Sequence, residues 1–266
     1  MKGEFTLTAN GDLRAKIVEM VVAAGEGHIP SSFSIVDILE VLYRRVLNVS
    51  PSSVDFSERD FLVLSKGHGA AALFAVLHKF GFLDDAQIEG YGKRGGILGG
   101  HPDSTQVPGV EASTGSLGHG FPFSVGIALG QKIRHSNSKV FALLGDGECQ
   151  EGTIWEAAHV AANQKLGNLC AIVDWNKSGA QLTPIDDLPA KWAAFGWDVL
   201  EVDGHNVTQI EETFLGAKER PTHGRPLAVI AHTVKGKGVS FLEGHGIWHH
   251  KVPNDSERAQ IFEALS

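Results

Sequence analysis

Short apolar runs recur along the chain, with helical patterns between them. The runs at 61–64, 140–144, 169–173 and 227–231 are apolar throughout, which is typical of strands covered on both faces. A weaker run at 199–202 predicts a fifth strand. Short buried strands that alternate with helices favour an α/β fold, namely a doubly wound parallel sheet with helices on both faces. Because no repeat, linker or change of composition interrupts the pattern, we expect residues 1–266 to form a single domain.

Apolar residues at helical spacing predict the helices that lie between and outside these strands. The predicted helices cover 13–24, 35–46, 70–80, about 121–134, 153–164, 190–195 and 206–217, with a last one near the C-terminus. We expect Ser34 and Asn206 to cap two of them, and Asp255 or Ser256 to cap the last. The helix at 121–134 is rich in small residues and is expected to be buried. Residues 90–120 contain ten glycines and predict a long functional loop.

The composition narrows the classes of function. With 23 basic and 31 acidic residues the net charge is −8, so we expect neither nucleic acid nor an anionic membrane surface as a partner. Two cysteines make neither a disulfide framework nor a zinc tetrad, and the start of the chain has no apolar signal segment. A soluble cytoplasmic protein is therefore expected. Glycine, at 32 residues, and histidine, at 13, are both abundant.

Polar groups follow the predicted strands directly. Gly145-Asp146-Gly147 comes after the run at 140–144, and Asn176 comes after the run at 169–173. Such groups meet at the carboxyl edge of a parallel sheet, where ligands bind. A carboxylate and an amide oxygen suit magnesium, and the flanking glycines let a diphosphate approach the backbone. Taken alone, Gly-Asp-Gly is more often a plain turn and Asn176 an Asx-turn.

The stretch LLGDGECQEGTIWEAAHVAANQKLGNLCAIVDWNKS resembles the thiamine-diphosphate motif in its transketolase form. Further blocks resemble the same family in the same order: GHIPSSFSIVDIL, RDFLVLSKGHGAAALFAVL, GGHPD, PGVEASTGSLGHG, and AHTVKGKGVSFLE with WHHK. The resemblance runs from about residue 10 to the C-terminus. It implies thiamine diphosphate and Mg²⁺ as cofactors and the transfer of a two-carbon ketol unit between sugars.

The resemblance also implies roles for individual residues. Asp146 and Asn176 would bind Mg²⁺ through their side chains, and Ser178 would bind it through its carbonyl. The remaining cofactor-binding positions would be Ser31, His68, Gly115, Leu117, Gly147, Glu148, Glu151, Glu156, Lys235 and His249, with Asn176 again among them. Within this set Glu151 and Glu156 match a carboxylate network between paired active sites, although an exposed acidic helix start would also explain Glu151.

Four histidines match those that line the substrate funnel of the family. His28 and His101 would hold substrate hydroxyls, while His68 and His249 would lie nearest the reacting carbon. Histidine suits this chemistry because it exchanges protons near neutral pH. His250 stands where the family commonly has glycine, and it could narrow the donor pocket.

The resemblance covers only the cofactor-binding half of a transketolase. The motifs of the second half, which supplies the glutamate that activates the aminopyrimidine, do not occur in the sequence. We therefore expect the N-terminal subunit of a split transketolase, active on sugar phosphates with a C-terminal partner subunit in an α2β2 heterotetramer. Two alternatives stay open: the α subunit of a thiamine-dependent 2-oxoacid dehydrogenase, and a non-catalytic interaction protein with a transketolase-like fold.

Overall fold

A five-stranded parallel sheet forms the centre of the protein. The computed structural model describes residues 10–56, 58–179, 183–244, 246, 248 and 250–265. The strands are β1 (Phe61–Leu64), β2 (Val140–Gly145), β3 (Leu169–Trp175), β4 (Asp198–Asp203) and β5 (Leu227–His232). They lie in the order β1-β2-β3-β5-β4, and every neighbouring pair is parallel. The predicted α/β fold and all five predicted strands are thus confirmed.

Helices pack on both faces of this sheet. Their bounds are α1 (Gly11–Ala24), α2 (Ile29–Phe33), α3 (Val36–Val41), α4 (Ala70–Lys79), α5 (Asp85–Glu89), α6 (Gly120–Ile133), α7 (Gly152–Asn163), α8 (Leu188–Ala194), α9 (Val207–Lys218) and α10 (Asp255–Leu265). Strand side chains alternate between two buried clusters. Phe141 and Leu143 pack with α1, α3, α4 and α9, whereas Ala142 and Leu144 pack with α6, α7 and α8. None of the helices in the described part of the chain is long and apolar enough to cross a bilayer.

Some sequence predictions about the helices are wrong. Ser34 is not the N-cap of α3, because Ile35 stands at that position and the Ser34 hydroxyl bonds the carbonyl oxygen of Ser31 and the carboxylate of Asp174. Asn254, rather than Asp255 or Ser256, caps α10 by accepting a hydrogen bond from the Glu257 amide. The helix predicted at 121–134 forms as α6, but it is buried on one side only, since Phe123 and Ile133 are 51% and 69% exposed. The cap at Asn206 is confirmed.

The strand connections open a crevice at the carboxyl edge of the sheet. After β3 the chain passes to α8 on one face, whereas after β5 it passes to the other face, where the Gly236 amide bonds the carbonyl oxygen of Pro30. Neighbouring strands whose connections leave in opposite directions create a ligand-binding crevice. The register aligns Gly145 with Asp174 and Trp175 with His232, so the segments that follow β2, β3 and β5 start side by side.

Candidate active site

Asp146 links the segments that follow β2 and β3. Its Oδ1 accepts a hydrogen bond from the Gly147 amide at 2.7 Å, and its Oδ2 accepts one from the Gly179 amide at 3.2 Å. Asn176 folds over its own segment, with Oδ1 accepting from the Ser178 amide at 3.0 Å. The four predicted positions Asp146, Gly147, Asn176 and Ser178 therefore lie in two loops that touch each other. Burial, and then the nearby charge of Asp174, raises the pKa of Asp146.

Gly179 allows these two loops to meet, and sequence analysis did not single it out. A Cβ atom at Gly179 would lie 2.6 Å from the Cα of Gly147 and 2.8 Å from its nitrogen. Side chains essentially never approach backbone atoms this closely, so only glycine fits. The signal in the sequence was its place three residues after Asn176, which becomes meaningful only when the facing loop is known.

Beneath the loops lies a buried ion pair that sequence analysis also missed. Lys66 follows β1 and Asp174 lies near the end of β3; their Nζ and Oδ2 atoms are 2.5 Å apart, and the two side chains are 1% and 0% exposed. Asp174 also accepts hydrogen bonds from Ser34, Asn176 and Thr233. Although burial acts to raise it, Lys66, Thr233 and Ser34 hold the pKa of Asp174 below its usual value. An anchored carboxylate thus fixes the amide of Asn176.

Ser31 and Lys235 lie on the side of the crevice lined by Lys66. Ser31 is buried, and its carbonyl oxygen accepts a hydrogen bond from the Nζ of Lys66 at 3.2 Å. Lys235 follows β5 and is only 6% exposed. Burial, and then the charge of Lys66, lowers the pKa of Lys235. An anionic group at this edge would therefore meet the buried side chain of Lys235, with the Lys66–Asp174 ion pair close by.

Glu148 joins three segments of the site through its buried carboxylate. Oε1 accepts from the Ser65 hydroxyl at 2.6 Å and from the Gly118 amide at 3.0 Å, and Oε2 accepts from the Gly145 amide at 3.2 Å. Burial raises the pKa of this carboxyl against these hydrogen bonds. The carboxylate of Glu148 thereby fixes the 115–118 loop, which includes the predicted cofactor contact Leu117, against the ends of β1 and β2.

The glycine at position 115 fits closely against a predicted funnel histidine. Gly115 has a φ of +153°, and a Cβ there would lie 3.0 Å from the Cδ2 of His101. Gly67 abuts the same loop, because a Cβ on it would lie 2.7 Å from the Gly115 nitrogen. The structure therefore places His101, Gly115 and the turn that contains His68 next to one another.

Two of the four predicted histidines, His28 and His68, meet at the mouth of the crevice. The rings of His28 and His68 are 5.6 Å apart between centroids and meet edge to face. His250, which is exposed, lies 4.7 Å from His28 in the same arrangement. His249 lies outside the described residues. His28, His68 and His250 therefore form one cluster, and the position at which the family commonly has glycine directly contacts a predicted catalytic histidine.

The two predicted network glutamates lie at the start of α7. Glu151 immediately precedes the helix, and its Cβ lies within 2.8 Å of where a Cβ on Gly118 would stand. Glu156 lies further along α7, and both residues are exposed. Both residues are thus at the surface, and Glu151 lies beside the 115–118 loop.

Comparison with known proteins identifies the family of this chain. The model of the transketolase thiamine-diphosphate-binding domain matches residues 7–264. The chain belongs to the transketolase family. Transketolase structures share its fold: one from Pichia stipitis has a TM-score of 0.88 at 29% identity, and one from Campylobacter jejuni has 0.85 at 31%. Each covers at least 95% of this chain, and the chain spans 40% and 41% of them.

Among transketolases, the relatives with matching length are named as subunits. The chain is 39% identical to an apulose-4-phosphate transketolase subunit of Phocaeicola vulgatus, over 95% of the chain and 91% of that protein. It is 37% identical to 6-deoxy-6-sulfo-D-fructose transketolase subunit SqwG of a Clostridium species, over 94% and 93%. Human transketolase is also 37% identical, but only 41% of its length is covered.

The donor set agrees with the cofactors expected from the family. Asp146, Asn176 and a carbonyl oxygen at Ser178 would supply hard oxygen ligands of the kind that Mg²⁺ prefers. A divalent cation there would offset the cost of an ionised Asp146, whose pKa is raised by burial. Within the described ranges, no group of three or more His, Cys, Asp and Glu side chains is arranged to hold a metal. Such a site would therefore need diphosphate oxygens and water as its remaining ligands.

Proposed function

We propose that this chain is the N-terminal subunit of a two-component transketolase that transfers a two-carbon ketol unit from a ketose phosphate to an aldose phosphate. The observation that supports this most is the meeting of the Asp146 and Asn176 loops at the carboxyl edge of the sheet, in a chain that aligns with separate transketolase subunits over more than nine tenths of their length. The 2-oxoacid dehydrogenase alternative is not favoured, because the relatives described above are transketolases.

The chain would bind Mg²⁺ through Asp146, Asn176 and Ser178 and thiamine diphosphate across the same edge. The backbone of Gly147, exposed by its lack of a side chain, would face the diphosphate. Lys235 would add positive charge on the other side of the crevice. When bound, thiamine diphosphate supplies an electron sink for cleavage of a carbon–carbon bond.

The remaining predicted residues would act on the cofactor and on the sugar. Gly115 and Leu117 would present backbone to the aminopyrimidine, with Glu148 holding their loop in place. Substrate hydroxyls would bind His28 and His101. His68 would lie near the reacting carbon, where a histidine can hold or move a proton during ketol transfer.

The partner in this proposal is a C-terminal transketolase subunit. The relatives of matching length are themselves named as subunits, which supports the need for such a partner. We propose an α2β2 heterotetramer in which Glu151 and Glu156, exposed at the start of α7, face the second active site. The two buried thiols, Cys149 and Cys170, suit the reducing cytoplasm that we propose as its location.

Titration calorimetry with thiamine diphosphate and Mg²⁺, in the presence of the partner subunit, tests this function. We expect the wild-type chain to bind, and Asp146→Ala to lose binding because it removes the only carboxylate in the proposed metal set. Asp186→Ala removes the same charge from an exposed position and should bind as the wild type does. Wild-type affinity in Asp146→Ala would refute the metal assignment, and absence of binding by the wild type would refute the enzyme.

The non-catalytic alternative predicts no dependence on the cofactor. A transketolase-like interaction protein would associate with its partner regardless of the cofactor. The presence of Asp146, Asn176 and His68 together supports the enzyme, since these are the positions that the family pattern assigns to the metal, the cofactor and the reacting carbon. Ketol transfer from a ketose phosphate by the assembled complex would decide in favour of the enzyme.

A further inference from the structure

A buried polar chain joins two helices to the turn before α9 and ends beside the candidate active site. Arg14 on α1 donates two hydrogen bonds to Asp37 on α3, with Nη1 and Nη2 lying 3.1 and 2.7 Å from the carboxylate oxygens. Asp37 also contacts His205, with 2.8 Å between Oδ2 and Nδ1. The three side chains are 3%, 6% and 10% exposed. His205 lies in the turn between β4 and α9, and its amide is held by the Asp203 carboxylate at 2.9 Å.

The far side of His205 contacts the backbone of the segment that follows β5. The amide of Val234 lies 2.8 Å from Nε2 of His205. A backbone N–H can only donate, so Nε2 is the acceptor and bears no proton. The proton is then on Nδ1, which donates to Asp37. The contacts on both sides thereby fix one neutral tautomer of His205.

The residues 233–238, called here the Lys235 segment, are held mainly through their backbone. The Gly236 amide donates to the Pro30 carbonyl at 3.0 Å, and the Nε of Arg14 donates to the Lys237 carbonyl at 3.0 Å. Gly236 has a φ of +79°, and a Cβ there would lie 2.1 Å from the carbonyl oxygen of Leu242. Both ends of the chain Arg14–Asp37–His205 therefore bond the same segment, on either side of Lys235.

We propose that His205 is a positioning residue that fixes Lys235 at the cofactor site by accepting the hydrogen bond of the Val234 amide. The importance of Lys235 for the cofactor rests on the function proposed above, whereas the positioning itself rests on the contacts just described. Lys235 is a long side chain and is only 6% exposed, so small movements of its backbone would move its ammonium group away from a fixed anion. His205 touches no predicted ligand of the metal and acts only through the segment.

Two variants separate the two hydrogen bonds of His205. A glutamine can place an acceptor where Nε2 stands, whereas an asparagine can reproduce only the donor at Nδ1. Hydrogen exchange of the Val234 amide and calorimetric titration with thiamine diphosphate and Mg²⁺ would be measured in the full chain with its partner. We expect His205→Asn to speed the exchange and to weaken the affinity for the cofactor, each by about fivefold to tenfold. His205→Gln should stay within about twofold of the wild type in both measurements.

A purely structural role for His205 would lower the melting temperature of both variants and leave no difference between them in exchange or affinity. That outcome, or unchanged exchange in His205→Asn, would overturn the proposal. If both variants fail to fold, ¹⁵N spectra of the wild-type imidazole decide, because a proton on Nε2 at neutral pH contradicts it. If the wild-type chain does not bind thiamine diphosphate, the proposed function fails, while the exchange data still test the positioning.

Discussion

At the scale of single residues, the loops after β2 and β3 meet through the backbones of Gly147 and Gly179. An alanine at position 179 would place its Cβ 2.6 Å from the Cα of Gly147, so one of the two loops must move. We predict that Gly179→Ala weakens binding of thiamine diphosphate with Mg²⁺ by about tenfold or more, since misplaced ligands lose affinity on the scale of a lost charged contact. Calorimetry measures this loss.

The matched control is a glycine with free space around it. Gly216 is exposed on α9, and a Cβ there would meet nothing within 4 Å. Gly216→Ala should bind the cofactor as the wild type does and should be more stable by about 0.5 to 1 kcal/mol, because alanine favours helix. Equal affinity in the two variants would show that the contact of the loops does not position the site.

Removal of the carboxylate of Asp174 tests the buried ion pair under the site. Asp174→Asn leaves the ammonium group of Lys66 buried without its counter-charge, and we predict a loss of about 3 to 5 kcal/mol in the free energy of unfolding. Urea denaturation measures it. Glu19→Gln, which breaks the exposed pair with Lys16, should change stability by less than about 1 kcal/mol. If both variants lost similar stability, the loss in Asp174→Asn could not be attributed to the burial of an unpaired ammonium group.

These residues also mark the limit of prediction from the sequence. Asp146 and Asn176 could be selected because they directly follow apolar strands, and the structure brings their loops together. Asp174 and Lys66 occupy similar places, but a charged side chain at the end of a strand can face a partner or solvent, and only the fold decides which. Gly179 was missed for a related reason: glycine is needed at this position because of a loop that lies about 30 residues earlier in the chain.

At the scale of secondary-structure elements, local patterns were sufficient for strands and less so for helix ends. Apolar runs mark strands because both faces of the sheet are covered, whatever the partners are. Capping depends on which hydroxyl or amide is free to turn back on the helix, and Ser34 instead bonds Asp174, which is 140 residues away. The exposed side of α6 was missed because small residues fit a buried helix and a surface helix equally well.

The junction of α1, α3 and the turn before α9 should make the protein sensitive to acid. Although burial acts to raise it, the hydrogen bonds from His205 and Arg14 lower the pKa of Asp37 from 3.8 to about 2. A carboxyl whose pKa is lowered by folding stabilises the folded state at any pH above its pKa in the unfolded chain, 3.8. This contribution is lost as the pH falls through the pKa in the folded state, about 2. The shift corresponds to about 2 kcal/mol.

Comparison of the wild type with Asp37→Asn in urea at several pH values tests this contribution. We predict that the wild type is more stable at about pH 5, that the difference begins to shrink below about pH 4, and that it is nearly gone at about pH 2. The corresponding comparison with Asp85→Asn, a substitution at an exposed position on α5, should show no such trend of comparable size. A difference that stays constant with pH would mean that Asp37 is not held ionised by its neighbours.

At the scale of the whole molecule, the candidate site lies at the open edge of one sheet. The loops after β1, β2, β3 and β5 form the floor of the crevice, and the cluster of His28, His68 and His250 lies at its mouth. Relatives of matching length are named as subunits, and longer transketolases contain the same domain as about two fifths of their chains. A second chain that covers this edge would exclude water and complete the surroundings of the cofactor.

The whole-molecule prediction therefore concerns assembly and activity together. We expect this chain, mixed with a chain that has the C-terminal transketolase domain from the same organism, to form a species with the mass of two copies of each, measured by native mass spectrometry. Ketol transfer should appear in the mixture and not in either chain alone, and Asp146→Ala in the mixture should assemble without transferring the ketol unit. Full activity of this chain by itself would contradict the two-component proposal, because the residues of this chain would then be sufficient for ketol transfer without a partner subunit.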